Sequence, residues 1–300
     1  MAVDLTALTA YVDENKLPLI RETLLTAKTI SLINVQPNIK TTAPINIFSH
    51  TPIFQAGACG WNHAGSTVLS QRQLAVDSFK INYAQCVDDY EAYYTQTLMN
   101  PGSYNQDLPT EQLYSEEIAG KSSKAIEIMA WQGDKVGGSG NNLMTDGFIK
   151  IIDAEGAVTT GTALAMDAAN IIAGVDQMVA AIHEDVVASD DLILAMGYPE
   201  FRIYMNALKQ ANMFHIDSAE GSNWEYTVHG TNVKVVALAG LNGLSRMFLV
   251  EASNLFMGTD LLNDSEQFSI RYSEDNDEVR ILMKAKIGFN IAFPNRVVSN

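Results

Sequence analysis

Cysteine, positive charge and long apolar runs are all scarce in this sequence. Two cysteines, Cys59 and Cys86, stand in 300 residues. That is too few for a disulfide scaffold, and they read as free thiols of a reducing compartment. Lys and Arg number 19 against 35 Asp and Glu, which leaves a net charge of -16 and a pI of about 4.6. Phosphate contacts need cations, so this balance excludes a nucleic-acid clamp or reader. Beside nucleic acid, such a chain would act as a container that repels. No apolar run approaches the roughly 20 residues of a membrane-spanning helix. The opening MAVDLTALTAYVDENK lacks a basic stretch followed by an apolar one, so no secretory signal is expected. The sequon Asn263-Asp264-Ser265 is therefore read as chance.

The chemical signatures are equally thin. His183-Glu184-Asp185-Val186-Val187 begins like a zinc-protease helix but has no second His, and it reads as the solvated edge of an amphipathic helix. Gly133–Gly140 is glycine-rich, yet it follows a helix and lacks a Gly-Lys-Ser/Thr ending, which argues against a phosphate loop. Gly138-Ser139-Gly140 does not fit a nucleophile elbow. Cys59 and His63 could form a nucleophile pair only in a fixed, electropositive setting that a glycine-rich stretch does not promise. His50, His215 and His229 are isolated. The acids Glu274, Asp275, Asp277 and Glu278 lack EF-hand spacing and read as a solvated turn. Trp61, Trp131 and Trp224 fall in different elements. The expectation is no catalytic, cofactor or metal site.

What is present is globular composition: 47% hydrophobic, 18% charged, mean hydropathy +0.01. The length allows one or two domains. The stretch Ser245–Pro294 holds two runs of period-two alternation. Phe268, Ile270 and Tyr272 share one face; Val279, Ile281, Met283, Ala285 and Ile287 share another, with Arg280, Lys284 and Lys286 opposite. This predicts an antiparallel pair joined through Ser273–Glu278, with the second strand long enough to reach Ile291 and Phe293.

Earlier in the chain, Leu5, Leu8 and Val12, then Leu17, Ile20, Leu24 and Leu25, are helix-spaced, followed by the apolar run Ile30–Val35. This opening, too short to bury itself, is expected to rest on something else, namely neighbouring copies. Ile45–Phe54 and Ser66–Val87 read as two strands around a glycine-rich tip; a lone hairpin of that length is barely stable and needs a neighbour. Val87–Leu98 reads as helical. Pro109–Gln132 predicts a long helix with Tyr114, Ile118, Ala125 and Met129 on one stripe and a Glu117/Lys121 pair. Phe148–Val158 reads as a strand and turn. Asp167 could cap a helix carrying Ile171, Val175, Met178, Val179, Ile182 and Val186. Leu192–Met196 is a buried strand, Pro199 opens a helix with Phe201, Met205 and Leu208, and Trp224–Val228, Val233–Leu238 and Met247–Val250 are strand-like. The whole predicts a mixed α+β subunit of two lobes.

The order of these elements resembles a tailed-bacteriophage major capsid protein of the Hong Kong 97-type fold. The resemblance runs from about residue 45 to the end. It rests on Ile45–Val87, similar to that family's extended loop, and on Pro109–Gln132 ending in Ala130-Trp131-Gln132-Gly133-Asp134, similar to its spine helix. It rests further on Gly147-Phe148-Ile149-Lys150-Ile151-Ile152, on Asn170–Leu241, and on the closing phrases Asn254–Asp260 and Ile287–Pro294. It implies an N-terminal arm at 1–44, an extended hairpin loop at 45–88, a peripheral domain at 89–155 and 245–300 with its spine helix at 109–132, and an axial domain at 156–244. It implies a structural protein, not an enzyme, that self-assembles into pentamers and hexamers as an icosahedral shell around double-stranded DNA, which it encloses without sequence-specific binding. Scaffolding, portal and decoration proteins are the implied partners, with no membrane involved, and the virion, assembled in the host cytoplasm, the implied location. Little chain precedes the hairpin, so a separate scaffold is expected unless the sequence is that of an already processed chain. No crosslink is assigned to Lys80. An encapsulin-like nanocompartment shell is the alternative within the same fold; a hydrolase built on Cys59 and His63 is the alternative outside it.

Overall fold

A computed structural model describes residues 27–57, 59–60, 65–86, 110–156, 158–159, 165–211, 224–260, 268–273, 275–276 and 278–300. The expected helices within 1–26 and over Val87–Leu98 lie outside these residues.

The architecture is mixed α and β, built on two sheets and a projecting hairpin. In the first sheet the long strand β12 (Glu278–Ile291) is the spine. It pairs antiparallel with β11 (Phe268–Ser273) and with β4 (Asp77–Cys86) along its first part, and with β10 (Leu255–Thr259) at its end; β1 (Asn34–Gln36) adds to β10 in parallel. The alternation expected of β12 is present: Ile281, Met283, Ala285 and Ile287 are buried, while Arg280 and Lys284 are exposed. The length of β12 is matched by sharing it among three partners.

The second sheet has the order β5 (Val158–Thr159), β13 (Val298–Ser299), β9 (Phe248–Glu251), β6 (Leu192–Met196), β8 (Lys234–Ala237) and β7 (Glu225–Thr227). Its central strands are apolar on both sides. Ile193, Ala195, Val236, Phe248 and Val250 enter the core shared with the first sheet. Their neighbours Leu192, Leu194, Met196, Val235, Ala237 and Leu249 enter a second core. That is why Leu192–Met196 reads as a continuous apolar run rather than an alternation.

The first core is covered by α2 (Thr110–Gln132), which contributes Ile126, Met129 and the fully buried Trp131. The second is closed by α4 (Ile171–Ala180) and α5 (Tyr198–Gln210). Pro199 sits in the first turn of α5, and Asn242 Oδ1 accepts the Tyr198 N–H at 2.8 Å, satisfying a donor that Gly197 at the N-cap cannot.

Four expectations need correction. Phe148–Val158 is not a strand and turn: Phe148–Glu155 is a helix, α3, closed by Gly156 in the left-handed region at φ 76. Its β-branched run suggested extension, but Phe148 and Ile152 are buried as an i, i+4 pair. The helix from Asp167 stops at Ala180, short of Ile182 and Val186, which lie in the turns beyond. Asp167 accepts the N–H groups of Ala169 and Asn170 before the helix instead of capping it. Ser66–Val87 is two strands, β3 (Gly65–Ala75) and β4, broken at Val76, and β4 lies in the main sheet of its own chain. Finally, part of the opening segment is buried by this chain rather than a neighbour. The short helix α1 (Lys28–Leu32) and its flanks put Ala27, Ile30 and Ile33 into the first core.

Candidate assembly surface

The hairpin of β2 (Thr42–Pro52) and β3 has a buried base and a bare outer half. At the base, Ile45 and Leu74 pack with Ile39 and Ala292, and Ala43, Ile47 and Val76 flank them. Arg72 fixes the exit angle, donating from both terminal nitrogens to Glu155 at 2.9 and 3.1 Å and from one of them to Asn290 at 3.3 Å. The bond to Arg72 holds the Glu155 carboxyl below its ordinary range. Asn290 in turn donates to the Gln73 carbonyl at 2.7 Å. Beyond the base, Phe48, Ile53, Val68, Leu69 and Phe54 stand exposed among the described residues, the last at 95%. Phe48 is paired with Leu69 and Ser49 with Val68, so apolar groups stand on both faces of the ribbon. Apolar side chains this dense on a two-stranded ribbon mark an interaction surface.

Polar anchors hold the rest of the frame. Glu127 on α2 is 3% exposed. It accepts the Thr29 N–H at 3.0 Å and the Thr29 hydroxyl at 2.5 Å, while Trp131 Nε1 donates to that same hydroxyl oxygen at 2.9 Å. Burial raises the Glu127 carboxyl above its ordinary value, against these bonds. The glycine-rich stretch after α2 has a packing role. A Cβ on Gly133 or Gly147 would strike backbone atoms at 2.4 and 2.7 Å, so the two glycines let α2 and α3 meet. Lys150 bridges Asp134 at 2.5 Å and Asp146 at 2.7 Å, and its hydrogen bond pulls Asp134 down to about 2. Arg246 clamps Asp153 through bonds of 2.8 and 2.9 Å.

The residues weighed as chemical sites are not brought together. Cys59 is exposed and free; His63 lies outside the described residues. Cys86 is exposed on β4. His183 lies past the end of α4 and not on its edge, its Nδ1 accepting the Asp185 N–H at 3.2 Å. His50 Nδ1 meets Thr67 Oγ1 at 2.9 Å on the hairpin. His229 packs edge-on to Tyr226, and His215 is outside the described residues. No group of three or more His, Cys, Asp or Glu that could hold a metal occurs among the described residues, and none of their helices is long and apolar enough to cross a membrane. Sequence reasoning missed the Glu127–Thr29 and Arg72–Glu155 contacts, which join residues 98 and 83 positions apart and leave no local signal.

Neither a protein-family model nor a curated protein matches this sequence. Solved structures do match. A chain of the satellite phage P4 procapsid including the size determination protein is 14% identical, with a TM-score of 0.63, covering 94% of this chain and 89% of that one. The chain has the fold of phage major capsid proteins. The same capsid fold is seen in Mycobacterium phage Che8, at 11% identity and a TM-score of 0.58 over 91% of this chain and 90% of that one. It extends to a virus-like particle from Pyrococcus furiosus, at 10% identity and a TM-score of 0.52 over 94% and 95%. At such identities the backbone is kept while the side chains are not, so the capsid fold here is carried by pattern and topology.

Proposed function

We propose that this chain is the major capsid subunit of a tailed bacteriophage, forming pentamers and hexamers that close an icosahedral shell around double-stranded DNA. The observation that carries the reading is the hairpin: its outer half exposes Phe48, Phe54 and Leu69 in a chain with a phage capsid fold. Copies of the chain would bury those side chains against one another, as heterologous contacts that close into rings. In this reading the chain before β2 is the arm, the β2–β3 hairpin over 42–75 is the extended loop, β4 joins a peripheral domain of 89–155 and 245–300 with its spine helix at 109–132, and 156–244 is the axial domain. Portal, scaffolding and decoration proteins would be its partners in the virion, with assembly in the host cytoplasm. The net charge of -16 suits a wall that leaves DNA mobile. No enzymatic role is assigned. The match to the Pyrococcus furiosus virus-like particle supports a second reading, a nanocompartment shell.

Size-exclusion chromatography and electron microscopy of the expressed chain test the proposal. Closed shells are expected, large when assembled with phage partners. A stable monomer at high concentration would overturn both shell readings, and small cages loaded with protein cargo would select the second.

A further inference from the structure

The outward face of the β4–β12–β11 ribbon concentrates positive charge on an acidic chain. The register places Lys80 directly opposite Lys284, and Arg271 directly opposite Arg280. Lys286 stands two residues beyond Lys284 on the same face. Five of the chain's 19 basic residues thus share one sheet face. All five point away from the core, because their odd-numbered neighbours on β12, Ile281, Met283, Ala285 and Ile287, are the buried ones. Two of the five are balanced within the chain. Arg280 Nε meets Glu278 at 2.6 Å, and Lys286 Nζ meets the buried Asp260 at 3.0 Å. Lys80, Arg271 and Lys284 are exposed and have no ion pair among the described residues.

Like charges directly across a strand pair repel and cost stability. Two such pairs on one ribbon, in a chain with nearly twice as many acids as bases, are a poor arrangement for an isolated subunit. They suit a face that is covered by carboxylates. The densest run of carboxylates in the sequence, Glu274, Asp275, Asp277 and Glu278, falls between β11 and β12, where Asp275 is exposed in the turn Asp275-Asn276.

We propose that the basic face formed by Lys80, Arg271 and Lys284 is a docking surface for the acidic turn around Asp275 of a second copy of this chain. The contact is charge-complementary and reaches from the tip of one ribbon to the flank of the next. It rests on the shell reading, for which it names a second contact independent of the apolar hairpin. Nucleic-acid phosphate is the weaker occupant, because the whole chain carries a net charge of -16.

The test uses the full chain with Lys80→Glu, with Asp275→Lys, and with both. Lys80→Glu turns the Lys80/Lys284 repulsion into an attraction, so the unassembled subunit should melt higher than wild type while its assembly weakens, by about tenfold in association constant. Asp275→Lys should weaken assembly similarly, and the double variant should recover most of the loss. Wild-type assembly should also fall as salt rises, and the Lys80→Glu variant's should fall less steeply. Single variants that assemble as wild type does, with the same salt response, would overturn the contact. So would a double variant no better than the worse single one. Normal shells of Lys80→Glu that retain less DNA would assign the face to phosphate and also overturn it. A wild-type chain that never assembles is a separate outcome, which removes the shell reading itself.

Discussion

Gly258 and Gly288 are cross-strand partners on β10 and β12, and together they form a flat slot over which the chain passes between β3 and β4. A Cβ on Gly288 would lie 1.8 Å from the Ala75 carbonyl oxygen, and one on Gly258 would lie 2.9 Å from Val76 Cγ1. The crossing is also held by Val76 N–H donating to the Thr41 carbonyl at 2.9 Å. Neither glycine serves a turn; each makes room for backbone.

Gly288→Ala should therefore destabilise the subunit by at least the ~1–3 kcal/mol of an overpacked core, since backbone cannot step aside as a side chain can. Gly258→Ala, which meets side-chain atoms, should cost less. Urea unfolding of the two variants side by side checks the order.

The buried Glu127 gives a pH dependence whose sign follows from its surroundings. Its folded-state value is raised above its ordinary 4.5 by burial. Its contribution is thus full below that ordinary value and is lost as pH rises through the folded one. Glu127→Gln should flatten the stability profile in that window. Asp134 acts in the opposite sense. Held at about 2 by Lys150, it contributes fully above its ordinary 3.8, and that contribution is lost as pH falls toward 2. Asp134→Asn should flatten the acid limb. Thermal melts from pH 2 to 8 separate the two.

Thr29→Val removes a hydroxyl that both donates to Glu127 and accepts from Trp131. Leaving these two buried partners short of a bond should cost roughly 1–3 kcal/mol. The expected outcome is a lower denaturation midpoint with an unchanged slope against denaturant.

Phe54→Ser with Leu69→Ser should leave the subunit's melting temperature within experimental error, because both side chains are solvated in the lone chain. Particle formation should be lost. Deleting Phe54–Leu69 should have the same outcome, and negative-stain microscopy reads both.

Cys59→Ser should form particles as wild type does, since the thiol is exposed and free. Loss of a chemical activity on that substitution, with assembly intact, would favour the hydrolase alternative.

Much of the frame was legible because it is locally periodic. β12 announced the buried face of Ile281, Met283, Ala285 and Ile287, α2 its extent to Gln132 with Met129 turned inward, and Leu192–Met196 a buried strand. The misreadings have a shared cause. Phe148–Glu155 carries Ile149, Ile151 and Ile152, whose branching favours strands, and only the glycines at 147 and 156 signalled a helix. The division of Ser66–Val87 at Val76 depends on Gly258 and Gly288, 182 and 212 residues on, which no local window contains. The sequence pattern put Arg280, Lys284 and Lys286 on one face, but only the register brought Lys80 and Arg271 beside them.

The second sheet, apolar on both sides, has a mechanical consequence. Val235 belongs to one core and Val236 to the other, and Leu249 and Val250 divide in the same way. Neither half of the molecule can shed its sheet without stripping the other half of a wall. The folded subunit should accordingly melt in one calorimetric step, and a force applied at one end of it would be borne by the whole.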